Sequence, residues 1–164
     1  METVVFAPDL NSELILRNQS GGLVIIETAA LKALDKYRQL HKNQCEQGGV
    51  LIGEVRPPHI IITQITEPGP ADVATRFGFT RKKQHHQQQV DRHWLTSGGF
   101  LTYIGEWHTH PEPNPTPSGI DLSSWRKGLP HDKPSIVAII GQQLDWWGYY
   151  EKGKCLKLAN EHTD

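Results

Sequence analysis

Two histidines, His108 and His110, stand two residues apart at the end of a segment rich in aromatic and branched residues, Phe100 to Trp107. Such a composition predicts a β-strand, and alternate side chains of a strand point to the same face of the sheet. Both imidazoles would then project together if the strand runs that far. Two imidazoles on one face can bind a divalent metal ion, for which zinc is the usual choice.

Asp121 is the candidate third ligand, because a catalytic zinc site takes three protein ligands and keeps one position open for water. Ser118 and Asp121 also match a helix N-cap with an acid at the third helical position, and alone they would indicate only a capping box. Four prolines, each of which fixes its backbone φ, predict a stiff and extended loop between the two groups of candidate ligands: Pro111, Pro113, Pro115 and Pro117. The combination of strand end, rigid loop and helix start favours a metal site.

The sequence HTHP, followed by a spacer and S-x-x-D, resembles the JAMM motif of the JAB/MPN metallopeptidases, with matching spacings. The resemblance implies that His108, His110 and Asp121 bind one catalytic zinc ion. It also implies that Ser118 lies near the metal and helps to stabilise the oxyanion of a tetrahedral intermediate.

The same family places its general acid/base, a glutamate, upstream in a pattern like E-x-x-G-x-x-x-G. Residues 46 to 53 fit this pattern, so Glu46 is the predicted catalytic carboxylate. Glu54, at the other end of the following strand, is the weaker candidate. Glu106 stands two residues before His108 and would support the metal ligands if the strand is regular.

Three further segments resemble bacterial JAB proteins encoded beside ubiquitin-like conjugation enzymes in anti-phage operons: ITEPGPAD (65–72), FTRKKQHHQ (79–87) and YIGEWHTHPEP (103–113). In particular, the segments resemble those of the deconjugating peptidases of CBASS operons. There, an E1–E2 fusion protein attaches the C-terminus of a cyclic-nucleotide synthase, a CD-NTase, to a target, and the JAB protein removes it. The resemblance therefore implies a zinc-dependent (iso)peptidase that cleaves after the C-terminus of a conjugated protein, either a CD-NTase or a ubiquitin-like protein.

Three other functions stay open at this point. The chain could serve another bacterial ubiquitin-like system, hydrolyse a small molecule or free peptide, or act as a non-catalytic MPN scaffold. Metal content would separate the scaffold from an enzyme, and cleavage of small amides without a folded protein partner would indicate the small-molecule hydrolase.

Composition limits the classes of function. The chain has 164 residues, which predicts a single domain, and the resemblance implies that it is one JAB/MPN domain over 1–164. The formal net charge of −1 gives no electrostatic footprint for nucleic acid or an anionic membrane. Two cysteines are too few for a disulfide framework. The beginning of the chain lacks the features of a signal peptide, and no apolar run has the length of a membrane span. These features predict a cytoplasmic protein.

Hydrophobic periodicity and turn residues predict an α/β protein. A hairpin is expected from the runs 14–16 and 23–26, and three helices over 29–40, 81–97 and 118–128, with Thr28 capping the first. Further strands are expected over 50–55, 59–65, 73–80, 100–107, 136–140, 144–150 and 155–158. His85, His86 and His93 are read as part of a polar helix face rather than as a metal site. The JAB resemblance implies the same architecture, a cytidine deaminase-like α/β sandwich with a mixed central sheet flanked by helices.

Overall fold

The computed structural model of the protein describes residues 10–81 and 83–161. Within these ranges the helices are α1 (Thr28–Asp35), α2 (Lys83–Thr96) and α3 (Gly119–Gly128). The strands are β1 (Leu14–Arg17), β2 (Leu23–Ile26), β3 (Gly48–Arg56), β4 (His59–Ile65), β5 (Val73–Thr75), β6 (Gly78–Thr80), β7 (Thr102–Thr109), β8 (Ser135–Ile140), β9 (Asp145–Glu151), β10 (Lys154–Lys157) and β11 (Ala159–Asn160).

Nine strands form one mixed sheet in the order β10-β9-β8-β7-β3-β4-β2-β1-β11. Strand β7, which carries the candidate histidines, lies near the middle, antiparallel to β3 and parallel to β8. The neighbouring β3 begins with Gly48 and Gly49, where a Cβ atom would lie 2.7 Å from Trp107 O and 2.3 Å from Thr66 O respectively. Only glycine permits this approach of the chains. The predicted α/β architecture with a mixed sheet is confirmed.

Side chains on both faces of the sheet are buried, as the continuous apolar runs predict. On one face, Ile136 and Ile140 of β8 belong to a cluster that includes Leu31 and Leu34 of α1. On the other face, Val137 and Ile139 of β8 pack in a cluster with Trp125 of α3. A third cluster contains Val90 of α2 together with Val50 and Ile52 of β3. Each fully buried side chain of this size contributes about 1.5–3 kcal/mol relative to exposure in water.

The two ends of the sheet are joined by one stretch of chain. Strand β10 pairs with β9 at one end, whereas β11 pairs with β1 at the other. Only Leu158 separates them, and the Cα atoms on its two sides can be at most about 7 Å apart because consecutive Cα atoms are 3.8 Å apart. The sheet must therefore curve until its ends meet, with the Leu158 side chain buried in the core.

Several predicted elements differ in detail from the structure. The segment 73–80, predicted as one strand, is a hairpin of β5 and β6, because Arg76 and Phe77 make a two-residue turn. Helix α1 ends at Asp35 rather than near Leu40, and its N-cap is Glu27 rather than Thr28. Residues 36–47 that follow are turns and irregular chain.

Candidate active site

Strand β7 brings His108 and His110 together. The strand ends at Thr109, but His110 continues the pairing with β8 because its N–H donates to the carbonyl of Ile140 at 3.0 Å. The two histidine rings share one face, with their Nε2 atoms 3.0 Å apart. Thr109 lies between them and is fully buried. The two imidazoles therefore project together, as strand alternation predicts.

The proline-rich loop, residues 111–117, is fixed by the turn between β8 and β9. The carbonyl of Glu112 accepts the N–H of Gln142 at 2.8 Å, and the carbonyl of Pro113 accepts the N–H groups of Gln143 and Leu144 at 3.2 and 2.9 Å. The stiffness predicted from the prolines is thus supplemented by backbone hydrogen bonds to a neighbouring turn. The loop holds the start of α3 in place relative to β7.

The N-terminus of α3 orients Asp121. Ser118 Oγ accepts the N–H of Asp121 at 3.1 Å, and Asp121 Oδ2 accepts the N–H of Ser118 at 2.8 Å, which is a complete capping box. The same carboxylate faces the histidines, with Oδ1 3.1 Å from His108 Nε2 and Oδ2 3.1 Å from His110 Nε2. The capping box and the candidate metal ligand are therefore one structure.

The donor set fits a zinc ion. The ligand atoms of His108, His110 and Asp121 all lie within 4.8 Å of one another. Their contact distances of 3.0–3.1 Å are near the separation of about 3.3 Å expected for ligands of a tetrahedral ion bound at about 2.0–2.1 Å. His110 Nδ1 lies 3.2 Å from Glu112 Oε1, but off the line of a hydrogen bond. A carboxylate at this position is typical of metal-bound histidine.

Charge is concentrated at this cluster. Burial by itself raises the pKa of Asp121, but hydrogen bonds from the two histidines outweigh it and hold the pKa well below its usual range. Burial lowers the pKa of His110, whereas the hydrogen bond and charge of Asp121 and the charge of Glu46 raise it above the usual value. The charges and hydrogen bonds of this cluster therefore favour a positive charge between the two imidazoles and the carboxylate.

Glu46 lies on the same side of the sheet as the histidines. Gly48 pairs with His108 in antiparallel register, and the N–H of Thr109 donates to Gln47 O at 2.9 Å, so the register continued by one more residue places Glu46 opposite His110. The carboxylate is 8% exposed. Burial raises its pKa, and the charges of His110 and His108 partly oppose the rise. A raised pKa suits a carboxylate that must take up and return a proton near neutral pH.

The other two glutamates considered from the sequence have ion-pair partners. Glu54 bonds to Arg56 at 2.9 Å and does not line the cleft that contains the histidines. Glu106 lines that cleft, but its carboxylate binds Arg81 at 2.6 Å. Among the described residues the structure therefore brings Glu46, and neither alternative, opposite the candidate metal ligands His108, His110 and Asp121.

The site opens into a cleft of about 600 Å³. Its walls include three residues that sequence reasoning did not select: Phe77, Arg81 and Ile120. Phe77 at the tip of the β5–β6 hairpin is 78% exposed, and Ile120 at the start of α3 is 80% exposed. Large apolar side chains exposed beside a cleft are typical of binding surfaces. Arg81 lies within FTRKKQHHQ, but nothing in its spacing indicates a place in the cleft.

The interpretation of His86 as part of a polar helix face is wrong. His86 is 1% exposed and does not lie on a polar surface. Its Nδ1 lies 2.6 Å from Thr66 Oγ1, and its Nε2 lies 2.9 Å from Asp72 Oδ2. The ring is a hydrogen-bonded part of the core.

A family model described as prokaryotic homologs of the JAB domain matches residues 32–149. The chain belongs to this family. The matched region includes Glu46, His108, His110, Ser118 and Asp121. The JAB resemblance predicted from the motif is therefore confirmed.

Curated relatives agree with this assignment. A protein of Escherichia coli (strain TW11681) named CD-NTase/cGAS isopeptidase is 44% identical over 150 residues, 92% of this chain and 96% of the relative. A protein of the same name from Vibrio cholerae is 40% identical, covering 85% and 90%. A probable metalloprotease from Sinorhizobium fredii is 34% identical over 80% of this chain and 81% of its own. The predicted hydrolytic enzyme of the JAB isopeptidase class is confirmed.

A solved structure supports the fold alone. The solution structure of a Desulfitobacterium hafniense protein is similar with a TM-score of 0.57 at 17% identity, and the match covers 77% of this chain and 83% of that one. In the part of the chain described by the structure, no helix is both long and apolar enough to cross a membrane.

Proposed function

We propose that this JAB-family enzyme is a zinc-dependent (iso)peptidase that cleaves after the C-terminus of a CD-NTase conjugated by an E1–E2-like enzyme, and so reverses the conjugation. The observation that carries the proposal is the convergence of five side chains from three segments in one cleft. His108, His110 and Asp121 are arranged to hold the metal, and Glu46 and Ser118 flank them.

The ligand set favours zinc among divalent metals because two imidazoles and one carboxylate leave a tetrahedral site with an open position. When bound, zinc would supply Lewis acidity that activates water and polarises a carbonyl group. His108, His110 and Asp121 would hold it.

The chain's own groups account for the proton transfers. Glu46, buried and with a raised pKa, takes a proton from the attacking water and returns it to the leaving amine. Ser118 Oγ accepts a hydrogen bond from the Asp121 N–H. Its own hydroxyl proton is not used in that bond and can be donated to the oxyanion of the tetrahedral intermediate. These steps are the same whether the scissile bond is an isopeptide to lysine or a linear peptide bond.

The substrate is proposed from the relatives. Three of the similar proteins, at 35–44% identity, are named CD-NTase/cGAS isopeptidase, and this chain covers 96% of the E. coli relative. An open cleft with exposed Phe77 and Ile120 on its walls is suited to a protein chain rather than to an enclosed small molecule.

The test uses purified protein and a CD-NTase extended beyond its C-terminus by a reporter peptide. Wild type should cleave at the CD-NTase C-terminus. Glu46→Ala should lower the rate by about 10²–10⁴-fold because the proton carrier is lost, while zinc, measured by elemental analysis, stays bound. Asp121→Ala, or a chelator added to wild type, should remove zinc and activity together. Glu54→Ala is the matched control and should keep both.

Each other outcome counts against a defined part of the proposal. Cleavage of a ubiquitin-like fusion instead of the CD-NTase fusion would move the enzyme to another conjugation system. Rapid cleavage of small amides alone would favour a small-molecule hydrolase. Wild-type protein that binds no zinc would overturn the metal-dependent mechanism.

A further inference from the structure

A fully buried glutamine, Gln39, lies behind the active site and contacts three separate segments. Its side-chain Nε2 donates to the carbonyl of Arg76 at 3.0 Å, and to the carbonyl of Gln44 at 3.2 Å. Its Oε1 accepts the hydroxyl of Thr109 at 2.8 Å. One amide group therefore joins the hairpin turn, the segment before Glu46 and the residue between the two metal-binding histidines.

The chemistry of the partners fixes every donor and acceptor in this network. The carbonyls of Arg76 and Gln44 can only accept, so the amide nitrogen of Gln39 must face them. Its oxygen then faces Thr109, whose hydroxyl must donate. The Thr109 oxygen in turn accepts the N–H of Gln47 at 3.0 Å. An alternative orientation of the amide would leave buried carbonyls facing an oxygen, which is costly.

The network reaches Glu46 from two sides. Thr109 exchanges two hydrogen bonds with Gln47, since its own N–H donates to Gln47 O at 2.9 Å. On the other side, the N–H of Glu46 donates to the carbonyl of Thr75 at 2.6 Å, next to Arg76. The backbone that carries the glutamate is therefore fixed both to β7 and to the β5–β6 hairpin.

The base of this network is itself anchored. The Gln39 carbonyl accepts Gln142 Nε2 at 2.8 Å. The preceding residue, Arg38, is buried and binds both carboxylate oxygens of Asp145 at 2.6 and 3.1 Å and the carbonyl of Gly141 at 2.9 Å. These bonds explain why the chain after α1 is irregular and yet ordered.

We propose that Gln39, acting through the Thr109 hydroxyl, is a positioning residue that sets the location of Glu46 relative to the metal ligands. This inference rests on the proposed function, in which Glu46 carries the proton. Gln39 is 0% exposed and does not line the cleft, so it contacts no substrate. Its effect should therefore appear in kcat and not in substrate binding.

The test compares Gln39→Leu, Thr109→Val and Thr109→Ser on the CD-NTase fusion. Gln39→Leu and Thr109→Val break the network and should lower kcat by about 10–100-fold, because small displacements of a catalytic group have effects of this size. KM should change less than about twofold, and zinc content and affinity should stay as in wild type. Thr109→Ser keeps the hydroxyl and should restore most of the rate.

Two controls test whether Gln39 and Thr109 act only by stabilising the fold. Thr66→Val removes another fully buried threonine hydroxyl, one that accepts the Val50 N–H. Its kcat should stay near the wild-type value even where its free energy of unfolding falls as much as that of Thr109→Val. In a Glu46→Ala background, Gln39→Leu should cause no further loss of rate, since residues that act through one group are not additive.

Two failures are distinguishable. If Glu46→Ala keeps full activity, the proposed function fails in its choice of proton carrier. Suppose instead that Glu46→Ala is inactive, and that the Gln39→Leu protein is folded, binds zinc and has the wild-type kcat. Only the positioning role is then overturned. Additive losses in the double variant would also overturn it.

Discussion

The carboxylate of Asp121 has two structural roles that sequence reading treats as alternatives. It closes the capping box of α3 through the Ser118 N–H, and its two oxygens face His108 and His110. The cap restricts the side-chain rotamer, so the entropy cost of ordering this candidate metal ligand is met when the helix forms. The hydrogen bonds that cap the helix are therefore the same bonds that orient the candidate ligand.

Another buried group, His86, gives a prediction about stability. His86 Nε2–H donates to Asp72 Oδ2 at 2.9 Å, and in the neutral ring His86 Nδ1 accepts the hydroxyl of Thr66 at 2.6 Å. Burial lowers the pKa of His86 below its ordinary value of 6.5, despite the opposing effect of Asp72.

His86 therefore binds fewer protons in the folded state than in the unfolded state as the pH falls through about 6.5, and its contribution to stability must decrease there. We expect the urea midpoint of wild type to fall on acidification from pH 7.5 to 5.5, and the His86→Gln protein to show a shallower slope. Both proteins keep His108, His110 and Asp121, so the difference in slope reports His86. His131→Gln, which replaces an exposed imidazole, should retain the wild-type slope; equal slopes for wild type and His86→Gln would contradict the assignment.

At the scale of elements, the loop between β7 and α3 depends on the turn between β8 and β9. Gly141 lies where the two meet: a Cβ there would be 2.4 Å from Pro115 Cδ and 2.3 Å from the carbonyl of Leu144. Gly141→Ala should displace the loop and with it Asp121. We expect zinc affinity to fall by about 10–100-fold, the usual effect of disturbing the support of metal ligands.

The matched control is Gly128→Ala in the last turn of α3, where a Cβ would meet no atom within 4 Å. Zinc affinity, measured by competition with a chromophoric chelator, should not change in that variant. Wild-type affinity in a folded Gly141→Ala protein would show that the loop does not depend on the turn.

Most helices and strands were predictable because the spacing of their apolar residues follows the period of a helix or a strand. Strand β7 and the start of α3 follow from apolar alternation and from a capping pattern, and His108, His110 and Asp121 follow from them. The β5–β6 hairpin and Gln39 were not predictable in this way. The hairpin has no strong turn residue at its centre, and Gln39 lies in an irregular segment whose partners, Arg76 and Thr109, are 37 and 70 residues away.

At the scale of the whole molecule, sheet order depends on contacts that no local pattern contains. The last predicted strand, 155–158, corresponds to β10, whereas β11, which follows Leu158 and lies at the opposite end of the sheet, was not predicted. Its sequence alone gives no sign that the chain passes from one end to the other at Leu158. The roles of the site residues and the extent of the domain stay predictions for the experiments above.

The junction at Leu158 has a consequence for hydrogen exchange. The Leu158 N–H donates to Trp147 O on the β9 side, and the Glu161 N–H donates to Ile15 O on the β1 side. Only two residues lie between these amides, so neither bond can open widely without moving the other. Native-state exchange in increasing urea should give both amides one opening free energy and one urea dependence.

The Leu129 amide, bonded to Trp125 O at the end of α3, is the comparison and should follow its own isotherm. Separate isotherms for Leu158 and Glu161 would show that the two sheet ends open independently. A shared isotherm would show that β10 and β11 couple the two ends of the sheet, so that loosening of one edge of the molecule is transmitted directly to the other.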